Sequence, residues 1–211
     1  MLHVVLPVGP LQCNCSIFGD EKKHEAIIVD PGGDISNITP ILDSHGLKVK
    51  AIVITHGHID HVAGASQLRA LTGAPVYMNE RDREQLNILD LQAAWLGVPV
   101  PPKVEIDVLA TDGAVLQLGG VDFEVLLTPG HTRGSLCLWI PQEKKLIAGD
   151  TLFRGSVGRT DLPGGDSARI LSSIKTYLLQ LPEETLVFPG HGESTTIGRE
   201  KQQNPFLQRI W

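Results

Sequence analysis

The sequence predicts an αββα sandwich of the α/β (α+β) class, two packed β-sheets with helices on their outer faces. Three observations carry this. Apolar runs of strand length come in two series, each followed by helical periodicity, and do not alternate strand by helix as a doubly wound parallel sheet requires. At 211 residues the chain is long enough for one sizeable core and short for two domains. No linker, repeat or low-complexity tract interrupts it, so one domain over 1–211 is expected.

Apolar runs at 3–8, 15–18 and 26–29 read as strands, the last closing in the turn Asp30-Pro31-Gly32-Gly33. Residues 34–46 read as a helix: Ile35, Ile38, Ile41 and Leu42 recur at helical spacing, and Gly46 stands at the C-terminal cap. A strand over 51–55 follows, then a helix over 62–72, a strand over 75–78 and a helix over 80–92. Residues 93–106, with Pro99, Pro101 and Pro102, read as an exposed loop.

The second series places strands at 114–118, 121–128, 135–140 and 145–149, then a glycine-rich loop over 154–166. A helix over 167–180 has Ile170, Leu171, Ile174, Tyr177 and Leu178 on one face. A strand over 185–188 and a short helix complete the chain.

Composition narrows the function classes. A net charge of −6 disfavours a nucleic-acid partner, because phosphate binding normally leaves a basic patch. The apolar runs are far shorter than the ~20 residues of a membrane span. Met1-Leu2-His3-Val4 does not open a signal peptide, so a cytoplasmic protein is expected. Cys13, Cys15 and Cys137 are an odd count and read as buried thiols without chemistry, not as a disulfide framework.

The chemistry is concentrated in Thr55-His56-Gly57-His58-Ile59-Asp60-His61, which crowds three of the eight histidines around an aspartate. Packing gives no reason for this, whereas a metal does: imidazole and carboxylate suit zinc, iron and manganese. The segment follows the apolar run Ala51-Ile52-Val53-Ile54, so the donors sit at a strand's carboxyl end, where open α/β sheets bind ligands. Thr128-Pro129-Gly130-His131, Ala148-Gly149-Asp150-Thr151 and Phe188-Pro189-Gly190-His191-Gly192 repeat the arrangement after other apolar runs. His3, His24 and His45 stand alone and read as surface or satisfied core residues. Asp30 reads as a turn residue, with a supporting contact to a ligand as the alternative. Thr55 reads as a cap of its loop. Trp95 and Trp139 read as packing residues, with substrate stacking as the alternative.

The H-x-H-x-D-H signature, followed by His, Asp and His at later strand ends, resembles the metallo-β-lactamase-fold hydrolase superfamily along essentially the whole chain. The resemblance implies two divalent metal ions, zinc foremost with iron or manganese as alternatives. One would be held by His56, His58 and His131, the other by Asp60, His61 and His191, with Asp150 bridging. Two such metals about 3.5–4 Å apart can share a hydroxide and polarise an acyl oxygen. Asp60 and Asp150 are then the catalytic carboxylates, with orienting the attacking water or accepting its proton as the alternative role of Asp60.

Within the superfamily, Asp150 stands where the true β-lactamases carry cysteine, and His58 where flavo-diiron proteins carry glutamate. Thr151-Leu152-Phe153 lacks the tyrosine of acyl-homoserine lactonases, and the basic segments of RNA-processing members are not seen. Two stretches, Gly149 through Gly158-Arg159-Thr160-Asp161 and Pro189 through Asn204-Pro205-Phe206-Leu207, resemble glyoxalase II, in particular the small bacterial type II glyoxalases. That implies hydrolysis of S-D-lactoylglutathione or a related acyl thioester, with a small-molecule partner and neither nucleic acid nor membrane. The carboxyl-terminal helical domain that clamps glutathione in longer members is not expected in 1–211, so substrate binding should be weaker or broader. Arg159 could grip a substrate carboxylate, but an ion pair with Asp161 or Asp166 is the favoured reading. Persulfide dioxygenases share Gly-Arg-Thr-Asp after the equivalent aspartate, which makes a mononuclear iron on His56, His131 and Asp150 the alternative. A non-catalytic metal-binding module is a third reading.

Overall fold

The structure is a computed structural model, described over residues 1–208. It divides into two compact units, Met1–Ala110 with Gln117–Gly120, and Thr111–Leu116 with the chain from Val121 on.

The first unit is built on a six-stranded sheet in the order β1-β2-β3-β4-β5-β6. Its elements are β1 (Leu2–Val8), β2 (Cys13–Asp20), β3 (Glu25–Val29), α1 (Ile35–Ser44), β4 (Lys48–Val53), α2 (Ile59–Val62), α3 (Ala65–Thr72), β5 (Val76–Met78), α4 (Arg83–Leu86), α5 (Leu89–Leu96) and β6 (Val108–Leu109). The first three strands pair antiparallel and the remainder parallel. The central strands β3 and β4 bury the runs Ala26–Val29 and Ala51–Val53 on both faces, as parallel strands covered by helices do. α1 ends as expected: Gly46 has φ +62°, and the Leu47 amide donates to the Leu42 carbonyl at 2.8 Å, which satisfies a terminal carbonyl.

Two expectations are corrected in this unit. The helix read over 62–72 is two pieces that break around Gly64, whose amide donates to the Pro31 carbonyl at 2.9 Å. A Cβ at Gly64 would meet that carbonyl oxygen at 2.5 Å, so the break is a close backbone approach that helical periodicity cannot register. The helix read over 80–92 is a 3₁₀ turn followed by α4 and α5, and α5 runs on into the stretch read as loop. It stops at Gly97, φ +65°.

The second sheet has the order β14-β13-β10-β9-β8-β7. Its strands are β7 (Val115–Leu118), β8 (Val121–Leu127), β9 (Leu136–Ile140), β10 (Lys145–Gly149), β13 (Leu186–Pro189) and β14 (Thr195–Thr196). A small hairpin, β11 (Leu152–Phe153) and β12 (Ser156–Val157), occupies the start of the predicted glycine-rich loop. α6 (Ser167–Thr176) and α7 (Ile197–Gln203) complete the unit. Ile170 and Ile174 of α6 join Cys137, Leu146, Val187 and Ile197 in its core. β8 and β10 each run antiparallel to β9, and β13 runs parallel to β10. The carboxyl ends of β8, β10 and β13 therefore share one edge of this sheet. No described helix is long and apolar enough to cross a membrane.

Candidate metal centre

In the first unit the donors follow the end of β4. His56, His58 and His61 are buried and close: the His56 ring lies 4.8 Å from His58 and 4.0 Å from His61, centroid to centroid. α2 begins at Ile59, and its single turn carries Asp60 and His61. Asp60 Oδ2 lies 3.6 Å from His61 Nε2.

A buried carboxylate organises these rings. Asp30 follows β3 with φ +53° and is almost fully buried. It accepts from the Thr55 amide and hydroxyl at 2.7 Å each, and from His61 Nδ1 at 2.9 Å. The Thr55 hydroxyl gives its proton to Asp30, so it accepts from His56 Nδ1, 3.1 Å away. Asp30 thus fixes two imidazoles, one directly and one through Thr55, and turns Nε2 of each toward a ligand, as partners of metal-bound histidine do. Beyond its turn, Asp30 makes the contact to His61 that the alternative reading requires. Cys13 Sγ lies 3.5 Å from His61 Nδ1, and burial pushes its thiol up to about 12. Cys13, Cys15 and Cys137 are all buried and free of disulfides.

The backbone of the donor loop is held from the 3₁₀ turn before α4 and from α5. The Gly57 amide donates to Asp82 Oδ2 and the Ile59 amide to Gln92 Oε1, both at 2.8 Å. Gly57 is required here, because a Cβ would meet Gln85 Cβ at 2.6 Å and the Asp82 carbonyl at 2.9 Å. Asp82 and Gln92 carry no local sequence signal, since their partners lie 25 and 33 residues away.

In the second unit His131, Asp150 and His191 each follow a strand, β8, β10 and β13. Asp150 Oδ2 lies 3.6 Å from His131 Nε2 and 3.9 Å from His191 Nε2, so one carboxylate oxygen serves two imidazoles. His131 Nδ1 donates to the Arg159 carbonyl at 2.7 Å, which again leaves Nε2 for a ligand. Arg159 thus acts on the centre through its peptide oxygen. Its guanidinium makes two hydrogen bonds to Asp161, at 2.8 and 2.7 Å, the ion pair favoured from sequence. That pairing holds the Asp161 carboxyl at about 2.

The buried Glu200 was also missed in the sequence. It accepts from the Gly155 amide, Thr195, Arg199 and Asn204, pinning the hairpin that follows Asp150. Burial alone would raise its carboxyl, but these donors hold it below the usual range. The isolated histidines stay outside: His3 stacks on Phe18 at 4.0 Å, and His45 pairs with Glu21 at 2.9 Å. Trp139 packs in the second core and Trp95 is exposed on α5.

All seven donors expected from the sequence belong to clusters of a kind that holds metal ions. Nitrogen and oxygen donors, with the His56, His61 and His131 rings locked through Nδ1, fit divalent zinc, iron or manganese.

A model of the metallo-beta-lactamase superfamily matches residues 8–191. Hydroxyacylglutathione hydrolase GloC of Haemophilus influenzae is 40% identical, with 96% of each chain covered. The structure described as BLEG-1 B3 metallo-beta-lactamase superposes with a TM-score of 0.90 at 38% identity, covering 98% of this chain and 99% of that one. That of TTHA1623 in a di-iron-bound form superposes at 0.85 and 38% identity, covering 98% and 100%.

Proposed function

The chain belongs to the metallo-beta-lactamase superfamily, and from that premise we propose that it is a metal-dependent hydrolase of acyl thioesters, with S-D-lactoylglutathione as reference substrate. The observation that carries the reading is Asp150, whose one oxygen faces both His131 and His191. A closed structural site needs four ligands and no such shared carboxylate. In this reading His56, His58 and His131 would hold one divalent ion and Asp60, His61 and His191 the other, with Asp150 available to both. Bound there, the ions supply an electrostatic pull on the acyl oxygen and bring water to a pKa of about 7.

The chain's own groups do the remaining work. Asp30, Thr55 and the Arg159 carbonyl hold His61, His56 and His131 in the tautomer that presents Nε2. Asp60, in the first turn of α2, would alternatively orient water or take its proton instead of holding an ion. Attack on the carbonyl carbon breaks the carbon–sulfur bond, releasing a carboxylate and a thiol. The likeness to hydroxyacylglutathione hydrolase supports the thioester as substrate.

The test is turnover of S-D-lactoylglutathione by metal-loaded protein against a His56→Ala/Asp150→Ala double variant. Activity at least a hundredfold above the variant is expected, and equal rates would sink the reading. Parallel assays of oxygen uptake with glutathione persulfide and of nitrocefin cleavage report the dioxygenase and β-lactam alternatives. The reading requires both to fall well below thioester turnover.

A further inference from the structure

The hairpin formed by β11 and β12 stands between two groups of the candidate centre. Asp150 lies two residues before it, and Arg159, whose carbonyl accepts from His131 Nδ1 at 2.7 Å, two residues after it. Between them the Gly158 amide donates to the Thr151 carbonyl at 3.2 Å. A Cβ at Gly158 would run into the Asp150 carbonyl oxygen and lie 3.2 Å from His131 Cβ, so the chain leaving the hairpin passes tightly against both donors. The hairpin cannot hold this place by itself. Two residue pairs close it, Leu152 with Val157 and Phe153 with Ser156, and an isolated two-stranded hairpin is at best marginally stable in water.

The hold comes from α7. Glu200 Oε2 accepts from the Gly155 amide at 2.8 Å and from Asn204 Nδ2 at 2.9 Å. The same Asn204 nitrogen donates to the Ser156 carbonyl at 3.0 Å. Two buried side chains, neighbours on one helix face, thus grip successive residues of the hairpin. A buried carboxylate costs desolvation that an apolar side chain would not, so the packing of α7 does not account for Glu200, whereas the grip does.

We propose that Glu200 and Asn204 are positioning residues of the metal centre: by fixing the hairpin they place the Arg159 carbonyl that orients His131 and the backbone that carries Asp150. The inference rests on the metal-binding part of the hydrolase reading and not on its substrate. Both residues act through the hairpin and take no part in bond making.

The test is cobalt(II) added to the chelator-stripped chain, because the visible bands of the bound ion report the geometry of its ligands. Asn204→Asp is nearly isosteric, but its second oxygen faces the Ser156 carbonyl and the Glu200 carboxylate where a donor stood. It should change the bands and weaken cobalt binding by about tenfold, the low end for loss of a ligand's own partner. Glu200→Ala should do the same. Glu200→Gln should keep the wild-type bands, since its oxygen still accepts from Gly155 and Asn204 while its NH₂ donates to the Thr195 hydroxyl. Ile174→Val, a trim in the core of the same unit, should lower Tm without moving the bands. Wild-type bands and affinity in Asn204→Asp and Glu200→Ala would overturn the positioning role. So would altered bands in Ile174→Val, a Glu200→Gln as damaged as Glu200→Ala, or a wild type that takes up no cobalt. The expected bands without turnover of S-D-lactoylglutathione by wild type would remove the hydrolase reading and leave the positioning role standing. Turnover with unaltered bands in the variants would do the reverse.

Discussion

A single buried side chain, Asp30, decides how two of the donor histidines present themselves. Its carboxylate accepts three hydrogen bonds, one of them from His61 Nδ1 at 2.9 Å. Asparagine tolerates the positive φ of this position and keeps the volume, but offers one acceptor oxygen and an NH₂ that repels a protonated Nδ1. Asp30→Asn should therefore leave the fold intact and weaken metal retention by about 10–100-fold, the usual effect of losing such a partner. Metal content per chain after dialysis, beside a circular dichroism melt, measures it; full retention would show that Asp30 serves only the turn. The donors themselves were legible because His56-x-His58-x-Asp60-His61 is a local pattern. Asp30 was ambiguous because its task appears only once a partner 31 residues away is in place. The Arg159 carbonyl was invisible for a different reason: a backbone oxygen has no letter in a sequence.

At the scale of elements, strands and their ends were readable because buried runs such as Ala51–Val53 are self-announcing. Helix continuity was not, since Pro31 meets Gly64 through space. One contact tying α3 to the strands beside it depends on pH. Arg69 of α3 donates to Asp107 at 2.8 and 2.6 Å, and the Val76 amide of β5 adds a third bond at 2.9 Å. The guanidinium first, then the amide, lower the Asp107 carboxyl to about 2 from 3.8. A depressed carboxylate stabilises the fold fully above its ordinary value and ceases to as pH falls through about 2. The pair is exposed to solvent, which screens it, so its contribution is small. Arg69→Met should lower the urea midpoint slightly at pH 7, with the difference from wild type shrinking between pH 4 and pH 3. A constant difference across that range would mean that Arg69 acts through its aliphatic stem.

For the whole molecule, the question is what the buried imidazoles and carboxylates do to stability. His56, His58 and His61 crowd together, and Asp150 faces two further rings. Gathering so many polar groups under cover costs desolvation that hydrogen bonds only partly offset, so an ion that binds the folded chain alone should return stability by mass action. At a free metal concentration a hundred times Kd the gain is about 2.7 kcal/mol, and at a thousand times about 4.1 kcal/mol. In a chain of this size 1 kcal/mol moves Tm by about 2–4 °C. Chelation should then lower Tm by about 5–15 °C without abolishing the cooperative transition, because the apolar clusters around Ile28 and Ile52 and around Ile170 and Ile174 do not depend on metal. Asp150→Ala should melt below the metal-loaded wild type and respond less to the chelator, because the shared carboxylate is gone. Scanning calorimetry of both proteins, with and without chelator, separates the two parts. Equal chelator shifts in wild type and variant would mean that Asp150 does not hold the metal, and the proposed two-metal reading would fall with it.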